Sequence, residues 1–192
     1  MNALILAGGE NKRLPVTKGF LEINSKKIIE LNIEVLKGLF DVVIISTNKP
    51  ELYFYLGVPM VGDIIKDGGP MTGILSALSI PDVSELLVTA CDMPFIMPEV
   101  IKYVVNKWVE GYNAVIPVFD NKPQPLLGIY SKRIARDMEQ SIKNGERSLI
   151  RFLHKIDVLY IDEKEIKAID PEGRSFVNIN TIDDYLLIAH SS

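Results

Sequence analysis

The chain opens Met1-Asn2-Ala3-Leu4-Ile5-Leu6-Ala7-Gly8-Gly9-Glu10-Asn11-Lys12-Arg13-Leu14-Pro15-Val16-Thr17-Lys18. An apolar run, Ala3-Leu4-Ile5-Leu6, stops at Ala7-Gly8-Gly9, and the cations Lys12, Arg13 and Lys18 follow. The run predicts a buried strand. The glycines predict a turn whose backbone can approach a ligand closely, and free N–H groups in such a turn form a concavity for anions. Three cations close behind make a polyphosphate the expected anion. The spacing is neither of the two commonest phosphate loops: no Gly-Lys-Ser/Thr follows the second glycine, and the glycines are adjacent rather than spaced G-x-G-x-x-G. The competing readings are a plain tight turn at Gly8-Gly9 and ordinary solvated charges at Arg13 and Lys18. In a site, Arg13 would grip phosphate bidentately and Lys18 would act as a point charge.

Working outward, strand-like and helix-like patterns alternate. Strands are expected at Ala3–Leu6, Asp41–Thr47, Leu86–Ala90, Ala114–Val118, Leu126–Tyr130 and Val158–Ile161. The first three are almost continuous apolar runs, as in parallel strands covered on both faces. Ile28, Leu31, Val35, Leu36 and Leu39 recur at helical spacing, as do Ile101, Val104, Val105 and Trp108 after Pro98. Pro70 opens a helix with Ile74, Leu75 and Leu78 on its apolar side, and Thr181 is placed to cap a last helix through Tyr185 and Leu186. The alternation predicts an α/β fold: one doubly wound, mostly parallel sheet with helices on both faces. No linker or repeat divides the chain, so residues 1–192 read as a single domain. Ligands of such sheets bind beyond the carboxyl ends of the strands. Polar or small residues do fall there: Ala7-Gly8-Gly9, Ser46-Thr47-Asn48 and Cys91-Asp92-Met93-Pro94.

Composition narrows the classes. The 192 residues are 47% hydrophobic and 24% charged with a net charge of −4, a globular profile with no field to attract nucleic acid. A small anion needs only a local cluster of cations. One cysteine makes no internal disulfide, no secretory leader is evident, and no apolar run is long enough for a membrane span. A cytoplasmic protein is the expectation.

Asp92, directly after a buried run, is a natural ligand for Mg²⁺, which takes oxygen ligands from one or two carboxylates plus substrate phosphates. Its alternative role is to start the turn before Pro94. The stretch Asp67-Gly68-Gly69-Pro70-Met71-Thr72-Gly73 would present unpaired N–H groups at a helix start, or be a routine glycine loop. Asp63 suits a nucleoside hydroxyl, a supporting role to the metal, or a solvated turn. Cys91 is discounted as a nucleophile because it follows a buried strand with no histidine near in sequence. His154 and His190 have no companion at metal-ligand spacing, and no Gly-x-Ser-x-Gly elbow is present.

Leu6-Ala7-Gly8-Gly9, Arg13 and Lys18 together resemble the opening signature of the nucleotidyltransferases. Gly69-Pro70-Met71-Thr72-Gly73 resembles their second motif and Cys91-Asp92-Met93-Pro94 their metal-binding one. Gln124-Pro125-Leu126 and Phe176-Val177-Asn178-Ile179-Asn180-Thr181 resemble features of one branch, the molybdenum cofactor guanylyltransferases. The resemblance implies GTP along Leu6, Ala7, Gly8, Gly9 and Lys18, with further nucleotide contacts at Ser46 or its neighbour Asn48, Asp63, Gly69 and Pro70. It implies Mg²⁺ on Asp92 as cofactor, and Arg13, Lys18 and Asp92 as the catalytic set. Gln124, Pro125, Arg147 and Asn180 would bind molybdopterin in the C-terminal half. The reaction implied is attack of a molybdopterin phosphate on the α-phosphorus of GTP, releasing pyrophosphate, with transient contact to proteins that mature molybdoenzymes and none to nucleic acid or membrane. Two positions depart from the pattern: Asn11 replaces a serine, and Leu14-Pro15 replaces Met-Gly, where proline removes an N–H. CTP, another phosphorylated acceptor, or a non-catalytic nucleotide-binding module on the same fold therefore stay open as alternatives. A dinucleotide-binding Rossmann domain is disfavoured by the glycine spacing.

Overall fold

A computed structural model describes residues 1–8, 17–66 and 68–189. The strands are β1 (Asn2–Leu6), β2 (Glu22–Ile23), β3 (Lys26–Lys27), β4 (Val43–Ser46), β5 (Met60–Val61), β6 (Glu85–Ala90), β7 (Ala114–Phe119), β8 (Lys122–Pro123), β9 (Gly128–Ser131) and β10 (Val158–Ile161). The helices are α1 (Ile28–Lys37), α2 (Pro70–Leu78), α3 (Pro98–Asn106), α4 (Ala135–Lys143), α5 (Leu149–Leu153), α6 (Glu163–Lys167) and α7 (Ile182–Ala189).

One eight-stranded sheet runs β10-β7-β9-β6-β1-β4-β5, with β8 hairpinned onto β7. β9 alone on that path is antiparallel to its neighbours; the other adjacent pairs are parallel. Side chains alternate along each strand, and the core divides accordingly. Ala3 and Ile5 of β1, Val43 and Ile45 of β4 and Leu87 of β6 face α1, α3 and α6. Leu4, Leu6, Ile44, Leu86 and Val88 face α2, α4 and α5. This is the doubly wound, mostly parallel sheet that the alternation predicts. Among the described residues no helix is long and apolar enough to cross a membrane.

The differences from the sequence reading are local and have physical reasons. The strand expected at Leu126–Tyr130 begins at Gly128, because Pro125–Leu127 forms a 3-10 turn. A side chain at Gly128 would press within 2.5 Å of Ile116 Cδ1 and 3.0 Å of the Val115 carbonyl, so the chain enters the sheet where it carries none. α1 stops at Lys37 instead of reaching Leu39, and α3 stops before Trp108. β5 is only two residues long, yet it extends the parallel edge and carries Val61-Gly62-Asp63 to the ligand side. The hairpin β2–β3 turns through Asn24 and Ser25, and β7–β8 through Asp120 and Asn121. All four have positive φ, the geometry of a two-residue hairpin turn that Asn and Asp tolerate. A third apolar cluster joins Leu21 and Ile23, Ile28 of α1, and Ile179, with Tyr185 and Ile188 of α7 packed against it. It docks the C-terminal segment onto the N-terminal hairpin.

Candidate active site

Register fixes which loops meet. Leu6, the last residue of β1, lies opposite Ser46 of β4 on one side and Ala90 of β6 on the other. The ladder continues past the strand ends: Ala7 donates its N–H to the Ser46 carbonyl at 2.9 Å, and the Cys91 N–H donates to the Leu6 carbonyl at 3.0 Å. The glycine turn and Asp92 therefore leave neighbouring parallel strands at one edge. Gly9 and Arg13, with Asn11, Lys12 and Leu14-Pro15, lie outside the described residues, as do Asp67 and His190.

Lys18 closes the loop back onto that edge. Its ammonium pairs with Asp92 Oδ2 at 2.8 Å and donates to Asn180 Oδ1 at 2.6 Å. Both members of the ion pair are largely but not wholly buried, at 24% and 13% side-chain exposure, so each stays reachable by a ligand. Gly19 lets this happen. A Cβ there would come within 3.2 Å of Cys91 Cβ, so the absence of a side chain brings the turn after Lys18 down onto the residue before Asp92. From beneath, buried Asn32 of α1 donates to the Ala90 carbonyl at 3.2 Å, and the Ala90 N–H turns to Met93 Sδ. The Cys91 thiol is buried, and that burial, with Asp92 beside it, pushes its pKa up to about 12. It is a neutral packing group and no nucleophile.

At the far side of the edge, Asn48 and Asp63 hold each other reciprocally. Asn48 Nδ2 donates to Asp63 Oδ2 at 2.7 Å, and the Asp63 N–H donates to Asn48 Oδ1 at 2.8 Å. Ser46 is buried beneath α2. A Cβ at Gly73 would fall 2.5 Å from Ser46 Oγ and 2.7 Å from Leu6 Cδ2, so this glycine lets α2 press onto the strand ends. Of the two candidates after the second strand, Asn48 thus reaches the open edge and Ser46 is packing. The N-terminus of α2 points at the same region. Gly69 precedes Pro70 with φ of 60°, a left-handed value that suits glycine. Buried Thr72, two residues into the helix, sets its hydroxyl against Gly68 with no hydrogen-bond partner among the described residues.

The C-terminal candidates separate. Asn180 joins Lys18 and Asp92, and the preceding Ile179 N–H donates to the Asp92 carbonyl at 2.9 Å. Gln124 directs its amide to the carbonyls of Phe119 and Lys122, bracing the β7–β8 hairpin. The Pro125 carbonyl accepts from the buried Tyr130 hydroxyl at 2.7 Å. Arg147 sits on the α2 side instead: its carbonyl lies 3.7 Å from where a Gly69 Cβ would be, and its guanidinium is tied to the carbonyls of Ile142 and Glu146. Glu146 holds that loop through Arg151 and the N–H groups of Arg147 and Ser148. The Arg151 pairing brings its pKa down to about 2. Sequence reasoning missed Asp184. Its Oδ2 accepts from the N–H groups of Asn180 and Thr181 at 2.9 and 2.8 Å, while its own N–H donates to Thr181 Oγ1 at 3.2 Å. Thr181-x-x-Asp184 is a reciprocal cap, and that spacing was its signal.

A family profile described as a MobA-like NTP transferase domain matches residues 3–157, most of the chain. The chain belongs to the MobA-like nucleotidyltransferase family. Among relatives, this MobA-like chain is 37% identical to a probable molybdenum cofactor guanylyltransferase of Pelotomaculum thermopropionicum, over 94% of this chain and 88% of the other. It is 33% identical to the molybdenum cofactor guanylyltransferase of Syntrophotalea carbinolica, over 96% and 88%. Its fold matches the crystal structure of molybdopterin-guanine dinucleotide biosynthesis protein A from Archaeoglobus fulgidus with a TM-score of 0.84 at 29% identity, covering 100% and 98% of the two chains. The MobA-like chain is thus a nucleotidyltransferase.

Proposed function

We propose that this nucleotidyltransferase moves GMP from GTP onto the terminal phosphate of molybdopterin, giving molybdopterin guanine dinucleotide and pyrophosphate. The observation that carries the reading is the Lys18–Asp92 pair, 2.8 Å apart at the ends of adjacent parallel strands, with the Asn48–Asp63 pair across the same edge. The names of the relatives supply the guanine and the pterin.

In this reading an oxygen of the acceptor phosphate attacks the α-phosphorus of GTP. A new P–O bond forms as the bond to the β-phosphate oxygen breaks, and pyrophosphate leaves with that electron pair. The nucleophile is already anionic, so no general base is required, in keeping with a sequence whose two histidines, His154 and His190, have no companion at metal-ligand spacing. Gly8 and Gly9 cradle phosphates with backbone N–H groups. Lys18, held between Asp92 and Asn180, stands beside the leaving pyrophosphate and offsets its developing charge, a task Arg13 shares. Such preorganised charge is where most of the rate arises in transfers of this kind. Asp63, fixed by Asn48, takes the nucleoside.

The donor chemistry suits Mg²⁺ only in part. Among the described residues no group of three or more potential ligands is gathered. Asp92 supplies one hard carboxylate at the phosphate edge, which fits an ion that completes its shell with substrate oxygens and water. Asp92 would hold that ion, whose charge would neutralise the triphosphate. The test is to incubate the protein with molybdopterin, Mg²⁺ and each of the four nucleoside triphosphates, following pyrophosphate and dinucleotide. The reading predicts product with GTP foremost. A preference for CTP would move the chain to another branch of the family, and no pyrophosphate with any nucleotide would make it a binding module.

A further inference from the structure

The catalytic lysine of the reading above is anchored by a segment nearly the whole chain away. Among the described residues Lys18 donates to Asp92, beside it across the sheet edge, and to Asn180. Asn180 is presented by a short extended stretch that leads into α7. Three things fix that stretch. The Ile179 N–H bonds the Asp92 carbonyl, and the Ile179 side chain is fully buried against Leu21, Ile23 and Ile28. The Tyr185 hydroxyl donates to the Glu22 carbonyl at 2.9 Å. Between these anchors the N–H groups of Asn180 and Thr181 both donate to one carboxylate oxygen, Asp184 Oδ2.

We infer that Asp184 is a positioning residue for nucleotidyl transfer: by gripping the backbone of Asn180 and Thr181 it aims the Asn180 side-chain oxygen Oδ1 at Lys18, and so fixes where the lysine charge stands. The inference rests on Lys18 acting at the triphosphate, as proposed above. A helix cap alone would need only one of the two N–H bonds. The second goes to Asn180, the residue that touches Lys18, and its presence is what the cap by itself leaves unexplained. The Asp184 carboxyl is held below the ordinary carboxylate range, because the N–H groups of Asn180 and Thr181 donate to it, with the Lys18 charge as a smaller cause. It therefore also adds a negative charge behind the lysine.

Two readouts test this, one independent of turnover. The first is the rate at which an amine-acylating reagent modifies Lys18 in the full-length protein, followed by peptide mass spectrometry. In Asp184→Ala the lysine loses its aimed partner, and acylation rises several-fold over wild type, while Asp184→Glu restores much of the protection. The second is a kinetic cycle of Asp184→Ala, Lys18→Ala and the double variant, measured by pyrophosphate release. Asp184→Ala lowers kcat about tenfold, a cost in keeping with small misplacement of a charge-stabilising group. Adding it to Lys18→Ala costs nothing further, because a residue that works through Lys18 has nothing left to position. Unchanged acylation of Lys18 in Asp184→Ala overturns the inference, as does a full additional tenfold loss in the double variant. If wild type releases no pyrophosphate but Lys18 acylation still rises, the positioning role stands and the transferase reading alone fails.

Discussion

The nucleotide edge and the C-terminal half are built differently. At the edge, Gly8, Asp92, Asn48 and Asp63 leave strands that are direct neighbours, so the backbone register itself delivers them. In the C-terminal half, Asn180, Gln124 and Arg147 come from loops with no shared ladder. Asn180 is brought to the edge by a buried isoleucine and a helix cap. Gln124 braces its own hairpin, and Arg147 lies against Gly69 on the α2 side. The lesson is that a parallel sheet gathers its strand-end residues for free, whereas loop residues must be placed one at a time by tertiary contacts.

The comparison breaks most visibly at Asp92. Asp92→Ala removes both the carboxylate for a cation and the partner of Lys18, and nucleotidyl transfer is expected to fall by at least about 10³-fold, in keeping with loss of charge stabilisation at a preorganised site. Circular dichroism should show the fold retained. Most of the wild-type rate surviving would disprove the metal and lysine assignments together. Lys18→Ala comes next, with a loss of about 10²–10³ in kcat and a smaller change in KM for GTP, since a charge felt mainly by the leaving group acts mainly in the transition state.

A smaller effect probes the close packing behind the edge. Gly73→Val would drive a side chain into Ser46 and Leu6, at a cost of about 1–3 kcal/mol for overpacking. Differential scanning calorimetry should show a Tm several degrees lower, and calorimetric titration should show weaker GTP binding. Unchanged values in both would mean that α2 does not set the shape of the strand ends.

The smallest effect belongs to the loop carrying Arg147. The Glu146 carboxylate is held near pKa 2 by Arg151, from an ordinary value of 4.5. A lowered folded-state pKa stabilises the protein above the unfolded value and loses that contribution as pH falls toward the folded one. The Tm gap between wild type and Glu146→Gln should therefore be widest at neutral pH, narrow below about pH 4.5 and close near pH 2. Because the Arg151 side chain is solvent-exposed the gap is small; a gap that grows on acidification would contradict the pairing.

These differences also explain what the sequence could and could not tell. The run Ala3–Leu6 and the Gly8-Gly9 break are legible because a buried parallel strand writes itself as consecutive apolar residues. Leu86–Ala90 before Asp92 reads the same way. β5 was invisible: two residues, Met60 and Val61, carry no period, and only pairing with Ile45 and Ser46 makes them a strand. The choice between Ser46 and Asn48 was equally undecidable locally. Both are small and polar, and Ser46 is buried only because Gly73, 27 positions later, lets a helix settle on it. The turns at Asn24-Ser25 and Asp120-Asn121 were legible in principle from residues that accept positive φ. The Thr181-to-Asp184 spacing also marked a cap, but nothing in it said that Asn180 would meet Lys18.

The account stands on Gly8 and Asp92 lining one pocket for a triphosphate. A crystal structure with a non-hydrolysable GTP analogue and Mg²⁺ tests this directly. The account predicts the phosphates between the Ala7-Gly8 turn and Asp92, with the Lys18 ammonium turned from Asp92 onto a phosphate oxygen and the nucleoside beside Asp63. Phosphates bound away from this edge, with the Lys18–Asp92 pair intact, would contradict it.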